Sequence, residues 1–243
     1  MSNKPILEVE KLNVGYQTKD GEIHAVQDVS FKVFSNEVFG IAGESGCGKS
    51  TLIKAIMRLL PENGKMDAHS IKYKDQKIDR MSENIFRNEV LWAQISLVPQ
   101  SAMNSLNPVY KVGEQIVEAI QAHTSQGKKE ARERVEELFD VVGLQSEFMD
   151  SFPHEFSGGM RQRAMIAMAL ALDPGLIIMD EPTTGLDVLV QEKILRRIRE
   201  IRKQIRSSII LITHDIAVIA EMSDRIAVMY GGRIMEQAKS IDL

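Results

Sequence analysis

An α/β fold with a mostly parallel sheet, an antiparallel β lead-in and an inserted helical subdomain is predicted for this chain of 243 residues. Three observations carry the expectation. Residues 6–34 alternate apolar and polar residues in strand fashion around a Lys19-Asp20-Gly21 turn. From residue 37, apolar strand runs and helical runs take turns, the pattern of a parallel sheet with helices on its faces. Residues 101–156 break that rhythm with helical patterns at 112–123 and 129–142. The expected parts of a single domain are therefore 1–36 as the antiparallel lead-in, 37–100 and 157–243 as the core, and 101–156 as the helical subdomain.

A chain of this length buries roughly 70–75% of its unfolded surface, so it needs no disulfide or metal to hold a core. Its hydrophobic fraction of 44% and charged fraction of 26% are ordinary for a globular protein, and a formal charge of −4 argues against a general polyanion binder. Cys47 is the only cysteine, which excludes an internal disulfide and suits a reducing compartment. The longest apolar run, residues 164–172, is cut by Asp173-Pro174, well short of the about 18 residues a membrane span needs. The start, Met1-Ser2-Asn3-Lys4-Pro5, does not read as a signal peptide. No internal repeat or low-complexity segment is visible.

The first core strand, Val38-Phe39-Gly40-Ile41-Ala42, runs into Gly43-Glu44-Ser45-Gly46-Cys47-Gly48-Lys49-Ser50 and then a helical run from Thr51 to Met57. This is a GxxxxGKS loop in the strand–loop–helix context that the motif requires. Its glycines let successive backbone N–H groups turn inward to phosphate oxygens, and the helix adds its positive end. Lys49 is expected to bridge the β- and γ-phosphates, Ser50 to ligate Mg²⁺ and Thr51 to donate toward the α-phosphate. The segment resembles the core of a P-loop NTPase, and the chain is expected to bind a nucleoside triphosphate.

Gln100 follows the strand Ile95-Ser96-Leu97-Val98 through Pro99, where it is placed to touch Mg²⁺ or an attacking water. Ser157-Gly158-Gly159 opens an apolar helical run and makes a second phosphate-binding helix start. Two such starts exceed what one triphosphate needs, so the second is expected to serve a nucleotide held by another copy. Asp180-Glu181 ends the strand Leu176-Ile177-Ile178-Met179 at the carboxyl edge of the sheet, where α/β folds bind ligands. Asp180 is expected to hold Mg²⁺ through water, and Glu181 to orient and polarise the attacking water. His214 follows the strand over residues 208–213 and is expected to reach the same γ-phosphate. Ile194, Ile198, Ile201 and Ile205 form the apolar stripe of a helix near 188–206. Its basic residues read as a solvated face rather than a nucleic-acid patch, because Glu192 and Glu200 interrupt them.

With these motifs in this order, the chain resembles the nucleotide-binding domain of an ABC transporter over essentially its whole length. In that resemblance, residues 43–50 are the Walker A loop, Gln100 the Q-loop, 156–160 the signature, 177–181 Walker B, Gly185-Leu186-Asp187 the D-loop and His214 the switch histidine. It implies ATP and Mg²⁺ as ligands and a head-to-tail dimer, of identical copies or paralogues. Each ATP would lie between one chain's Walker motifs and the other's Ser157-Gly158-Gly159, with Asp187 in the D-loop nearby. It also aligns Tyr16 with the aromatic that stacks on adenine; the alternative is an ordinary strand aromatic. Catalytic roles fall to Glu181, His214, Lys49 and Gln100.

A narrower likeness comes from Pro99-Gln100-Ser101-Ala102-Met103-Asn104-Ser105-Leu106-Asn107-Pro108 and from Ser157-Gly158-Gly159-Met160-Arg161-Gln162-Arg163. Both are similar to the ATPases of dipeptide and oligopeptide importers. That likeness implies transmembrane permease partners, an extracytoplasmic substrate-binding protein acting indirectly, no nucleic acid, and a place at the cytoplasmic face of the cell membrane. A soluble ABC ATPase of DNA repair or translation, or an importer of another solute such as a metal complex, is the alternative. Met160 and Phe156 depart from the common Gln and Leu without removing the Ser157 hydroxyl or the glycine N–H groups. The chain stops at Leu243, where that branch usually continues, so the C-terminal extension and any site within it are expected to be absent. Cys47, at a helix N-terminus beside a lysine, is expected to be reactive and protected by bound ATP, or else to be an inert residue that simply fits.

Overall fold

The computed structural model describes residues 4–100 and 105–242. The expectations concerning Met1-Ser2-Asn3, Ser101-Ala102-Met103-Asn104 and Leu243 fall outside them. Along the described residues the strands and α-helices are β1 (Pro5–Thr18), β2 (Gly21–Phe34), β3 (Val38–Ala42), α1 (Lys49–Ile56), β4 (Gly64–Asp67), β5 (Ser70–Tyr73), β6 (Gln76–Lys77), α2 (Glu83–Ile85), β7 (Ile95–Val98), α3 (Val112–His123), α4 (Lys128–Val142), α5 (Gly158–Leu170), β8 (Leu176–Asp180), α6 (Val188–Gln204), β9 (Ser208–Thr213), α7 (Ile216–Met222), β10 (Arg225–Tyr230) and β11 (Arg233–Lys239). They fall into two compact units, residues 1–87 with 208–243, and residues 88–207.

In the first unit, β1 and β2 form a long antiparallel hairpin closed at Thr18 and Gly21. Leu7 and Val9, then Leu12 and Val14, of β1 are buried at alternate positions, with the register shifted between the two pairs by an irregularity near Lys11. β1 also pairs antiparallel with β4 and β5, and β6 continues from β5. A second set of strands is parallel, β10 beside β3 beside β9, with β11 antiparallel on β10. Every residue of β3 and β9 is buried, which explains their unbroken apolar runs: parallel strands have both faces covered. Phe31 of β2 stacks on Phe39 of β3 with centroids 5.3 Å apart. The buried Glu37 carboxylate accepts from the Phe34 N–H at 2.6 Å and from Arg225 at 3.1 Å, fixing the turn between β2 and β3.

In the second unit, β7 and β8 are parallel, with Ile95 opposite Leu176 and Val98 opposite Met179. α3 buries Val112, Ile116 and Ile120, and α4 buries Ala131, Val135, Leu138, Phe139 and Val142, each a stripe at helical spacing. α5 is buried on most of its circumference, which is why its sequence shows no amphipathic period. α6 buries Ile194, Leu195, Ile198 and Ile201, while Ile205 lies past its end in extended backbone. The expected stripe therefore holds for three isoleucines, and Leu195 takes the fourth place. Its outer face is solvated as expected, with Arg197 paired to Glu200 at 2.7 Å. The architecture is the predicted one: α/β, with an antiparallel N-terminal sheet, parallel core strands and helices.

Candidate functional site

The phosphate loop leaves β3 at Gly43 and enters α1 at Lys49. Gly48 caps the helix at φ 105°, a conformation side chains resist, and a Cβ there would lie 2.3 Å from the Ala25 carbonyl oxygen. No side chain caps α1 and no acidic residue lies in its first turn, so its leading N–H groups and positive end are available to an anion. Lys49 is only 5% exposed, and its ammonium donates to the Gly43 and Glu44 carbonyls, both at 2.7 Å. A curled loop with its lysine drawn beneath it fits a polyphosphate. Ser50 and Thr51 follow on the first turn. The Tyr16 hydroxyl donates to Thr51 Oγ1 at 3.2 Å, which ties β1 to that turn.

Cys47 points into the loop, 3.7 Å from Lys49 Nζ, and is 7% exposed. The reactivity expected from its neighbours is thus limited by access. Alkylation of the folded chain is expected to run at least roughly tenfold slower than after unfolding in urea. Equal rates in both states, read by mass spectrometry, would refute the buried placement.

The register of β3 and β9 places His214. Ala42 lies opposite Thr213, so Gly43 and His214 are the next residues past the same edge of a parallel pair. Thr213 Oγ1 accepts from the Asp215 N–H at 3.0 Å, and Asp215 caps α7 by accepting from Ala217 and Val218. The backbone on either side of His214 is therefore pinned while its side chain stays exposed.

In the second unit the same logic brings Gln100 to Glu181. Val98 lies opposite Met179, so Pro99-Gln100 and Asp180-Glu181 leave one edge of β7 and β8 together. Gln100 Nε2 donates to Glu181 Oε2 at 3.0 Å. Asp180, the last residue of β8, is buried. Glu181 has φ 48°, in the left-handed region, and its Oε2 also accepts from Thr184 Oγ1 at 2.8 Å. Sequence reasoning does not single out Thr184; the one available signal was a hydroxyl three residues beyond the carboxylate.

A second group gathers at the starts of α5 and α6. Ser157 caps α5 by accepting from the Met160 N–H at 3.3 Å, and Asp187 caps α6 by accepting from the Val190 N–H at 3.0 Å. The two starts touch: a Cβ on Gly159 would lie 2.6 Å from Val190 Cγ1, so a larger residue there would have to displace the Val190 side chain. Arg163 braces the turn from behind, donating to the Gly159 and Gly143 carbonyls, and Arg197 donates to Asp140. Burial, and then the neighbouring Arg197 charge, holds the Arg163 guanidinium below its ordinary range. Sequence reasoning did not give either arginine this role, because the Gly143 and Asp140 carbonyls that they reach are distant in sequence.

Comparison with known proteins extends this chemistry. The model of the ABC transporter family matches residues 26–184, and an AAA-domain model matches the shorter stretch 152–220. The dipeptide transport ATP-binding protein DppD of Bacillus subtilis is 44% identical over 234 residues, covering 95% of this chain and 70% of the relative. The oligopeptide transport ATP-binding protein OppD of the same organism is 44% identical over 234 residues, covering 95% of this chain and 65% of the relative. The chain thus spans about two thirds of the length of these relatives. Among solved structures, the dimeric post-hydrolysis state of the ATP-binding cassette MJ0796 bound to ADP and Pi superposes with a TM-score of 0.83. It is 25% identical, over 96% of this chain and 98% of that one. A match over well over half the chain, carrying the phosphate loop and the Asp180-Glu181 strand end, places this chain in the ABC transporter family.

Proposed function

We propose that this chain is the subunit that binds and hydrolyses ATP to power an ABC importer of dipeptides and oligopeptides. The observation that carries the peptide reading is 44% identity, along 95% of the chain, to a protein named for dipeptide transport. The phosphate cradle around Lys49 and the Gln100–Glu181 pair support the ATPase reading.

In this reading Lys49, Ser50, Thr51 and the N–H groups of residues 43–48 hold the phosphates, and Tyr16 packs on the adenine. Ser50, Asp180 and Gln100 are the residues that would hold Mg²⁺, which supplies charge neutralisation on the β- and γ-phosphates. Glu181 accepts the proton of the attacking water, and His214 steadies the charge that develops on the transferring phosphoryl group. Ser157-Gly158-Gly159 of a second copy or a paralogue completes the site, with Asp187 beside the contact. The dimer of the similar cassette supports that arrangement.

Among the described residues no helix is long and apolar enough to cross a membrane. In this reading the work is passed to transmembrane permeases from the cytoplasmic face, through the helical subdomain over 101–156 hinged at Gln100. An extracytoplasmic binding protein delivers the substrate. No nucleic acid takes part.

The test is reconstitution with the permeases and binding protein of a peptide importer. Peptide-loaded binding protein is expected to raise ATP turnover several-fold in proteoliposomes. Stimulation by a metal complex but not by peptides would overturn the peptide reading; turnover that responds to DNA or ribosomes and ignores the permeases would overturn the importer.

A further inference from the structure

The second donor on Glu181 Oε2 is the Thr184 hydroxyl, at 2.8 Å, from a residue with no part in the function proposed above. A threonine in a turn ordinarily turns its hydroxyl onto nearby backbone. This one reaches back three residues to the carboxylate, in a turn already closed by the Thr184 N–H donating to the Glu181 carbonyl at 3.2 Å. The turn is braced from α6 as well. Gln191 Nε2 donates to the Thr183 carbonyl at 3.2 Å and to the Leu186 carbonyl at 3.0 Å, so Thr184 sits on fixed backbone.

Glu181 needs such support. At φ 48° its backbone is in a region that non-glycine residues occupy at a cost and keep only when their surroundings over-determine it. A glutamate side chain on that backbone has three rotatable bonds, and a base must be held in place to take a proton efficiently. Gln100 supplies one donor from the end of β7 and Thr184 another from the turn. Both donors meet the same carboxylate oxygen.

We propose that Thr184 is a positioning residue for ATP hydrolysis, its hydroxyl fixing the rotamer of the Glu181 carboxylate. Gln100 has a second expected duty at the Mg²⁺ site and at the hinge of the helical subdomain. When it leaves Oε2, the Thr184 hydroxyl still holds that oxygen. This inference rests on Glu181 being the base of the proposed ATPase.

The experiment measures kcat and KM for ATP in the reconstituted importer carrying Thr184→Val, Thr184→Ser, Thr184→Ala or Glu181→Gln. Valine keeps the volume and branching and removes the hydroxyl; serine does the reverse. Thr184→Val and Thr184→Ala are expected to lower kcat roughly tenfold with KM little changed, and Thr184→Ser to stay close to the parent. If valine matches the parent, or serine falls as far as valine, the side chain serves packing and the proposal is wrong. Should valine perturb the fold, seen as a lower melting temperature, the serine and alanine pair decides. The two levels of inference separate cleanly. Undiminished turnover in Glu181→Gln removes the base itself, whereas a dead Glu181→Gln beside an unaffected Thr184→Val removes only the role of Thr184.

Discussion

Glu181→Gln will bind ATP as the parent does and hydrolyse it roughly 100- to 10,000-fold more slowly, the range lost with a general base. The structure says why binding and fold survive. Gln100 Nε2 and Thr184 Oγ1 both donate to Glu181 Oε2, and a glutamine carbonyl oxygen at the same point accepts from both. What disappears is the negative charge and the capacity to take a proton. The nucleotide is then held without being consumed, so a dimer should accumulate on adding MgATP and persist through size-exclusion chromatography. Turnover within about twofold of the parent would remove Glu181 from the chemistry. Loss of nucleotide binding would mean that the carboxylate holds the ligand rather than activating water.

Gly48→Ala will disable the phosphate loop and weaken the whole first unit. Two penalties coincide at this residue. Its φ of 105° lies beyond the left-handed well that other residues tolerate, and the added methyl would meet the Ala25 carbonyl oxygen of β2 at 2.3 Å. Backbone on both sides of the clash must shift, so a stability loss of about 3 kcal/mol or more is expected, together with loss of measurable ATP affinity. Gly46→Ala is the internal control. Its φ is 82°, yet no atom lies within 4 Å of the position a methyl would take, so backbone strain alone costs about 1 kcal/mol. Urea denaturation with nucleotide titration checks both. Equal losses in the two variants would show that the close approach to Ala25 is not what demands glycine at residue 48.

The elements that position the chemistry were the most legible in the sequence, because burial on both faces leaves an unmistakable mark. β3, β7, β8 and β9 are short, mostly apolar runs, and each ends within two residues of a residue that the sequence marks as a candidate for the site. β4 is the contrary case. Gly64-Lys65-Met66-Asp67 is polar and half exposed, and becomes a strand through pairing with Asn13 to Tyr16 of β1, a partner distant in sequence. The end of α6 was misjudged for a local reason: Ile205 continues the apolar period while its backbone has already turned extended. Within the site, residue types announced Lys49, Glu181 and His214. Thr184 and Arg163 did not announce themselves, since their significance lies in which oxygen each one reaches. The burial of Cys47 was equally silent, because the same loop sequence permits a thiol facing either way.

The contact between Gly159 and Val190 brings together two motifs that are remote in sequence. A methyl at residue 159 would press on the Val190 side chain, so the starts of α5 and α6 pack directly against each other. Since the serine-glycine turn reads a nucleotide bound by the opposite protomer in the proposed assembly, damage at residue 190 would injure catalysis next door while leaving the mutated copy's own ATP pocket sound. Inherited defects there would behave as poisons of mixed dimers rather than as simple losses.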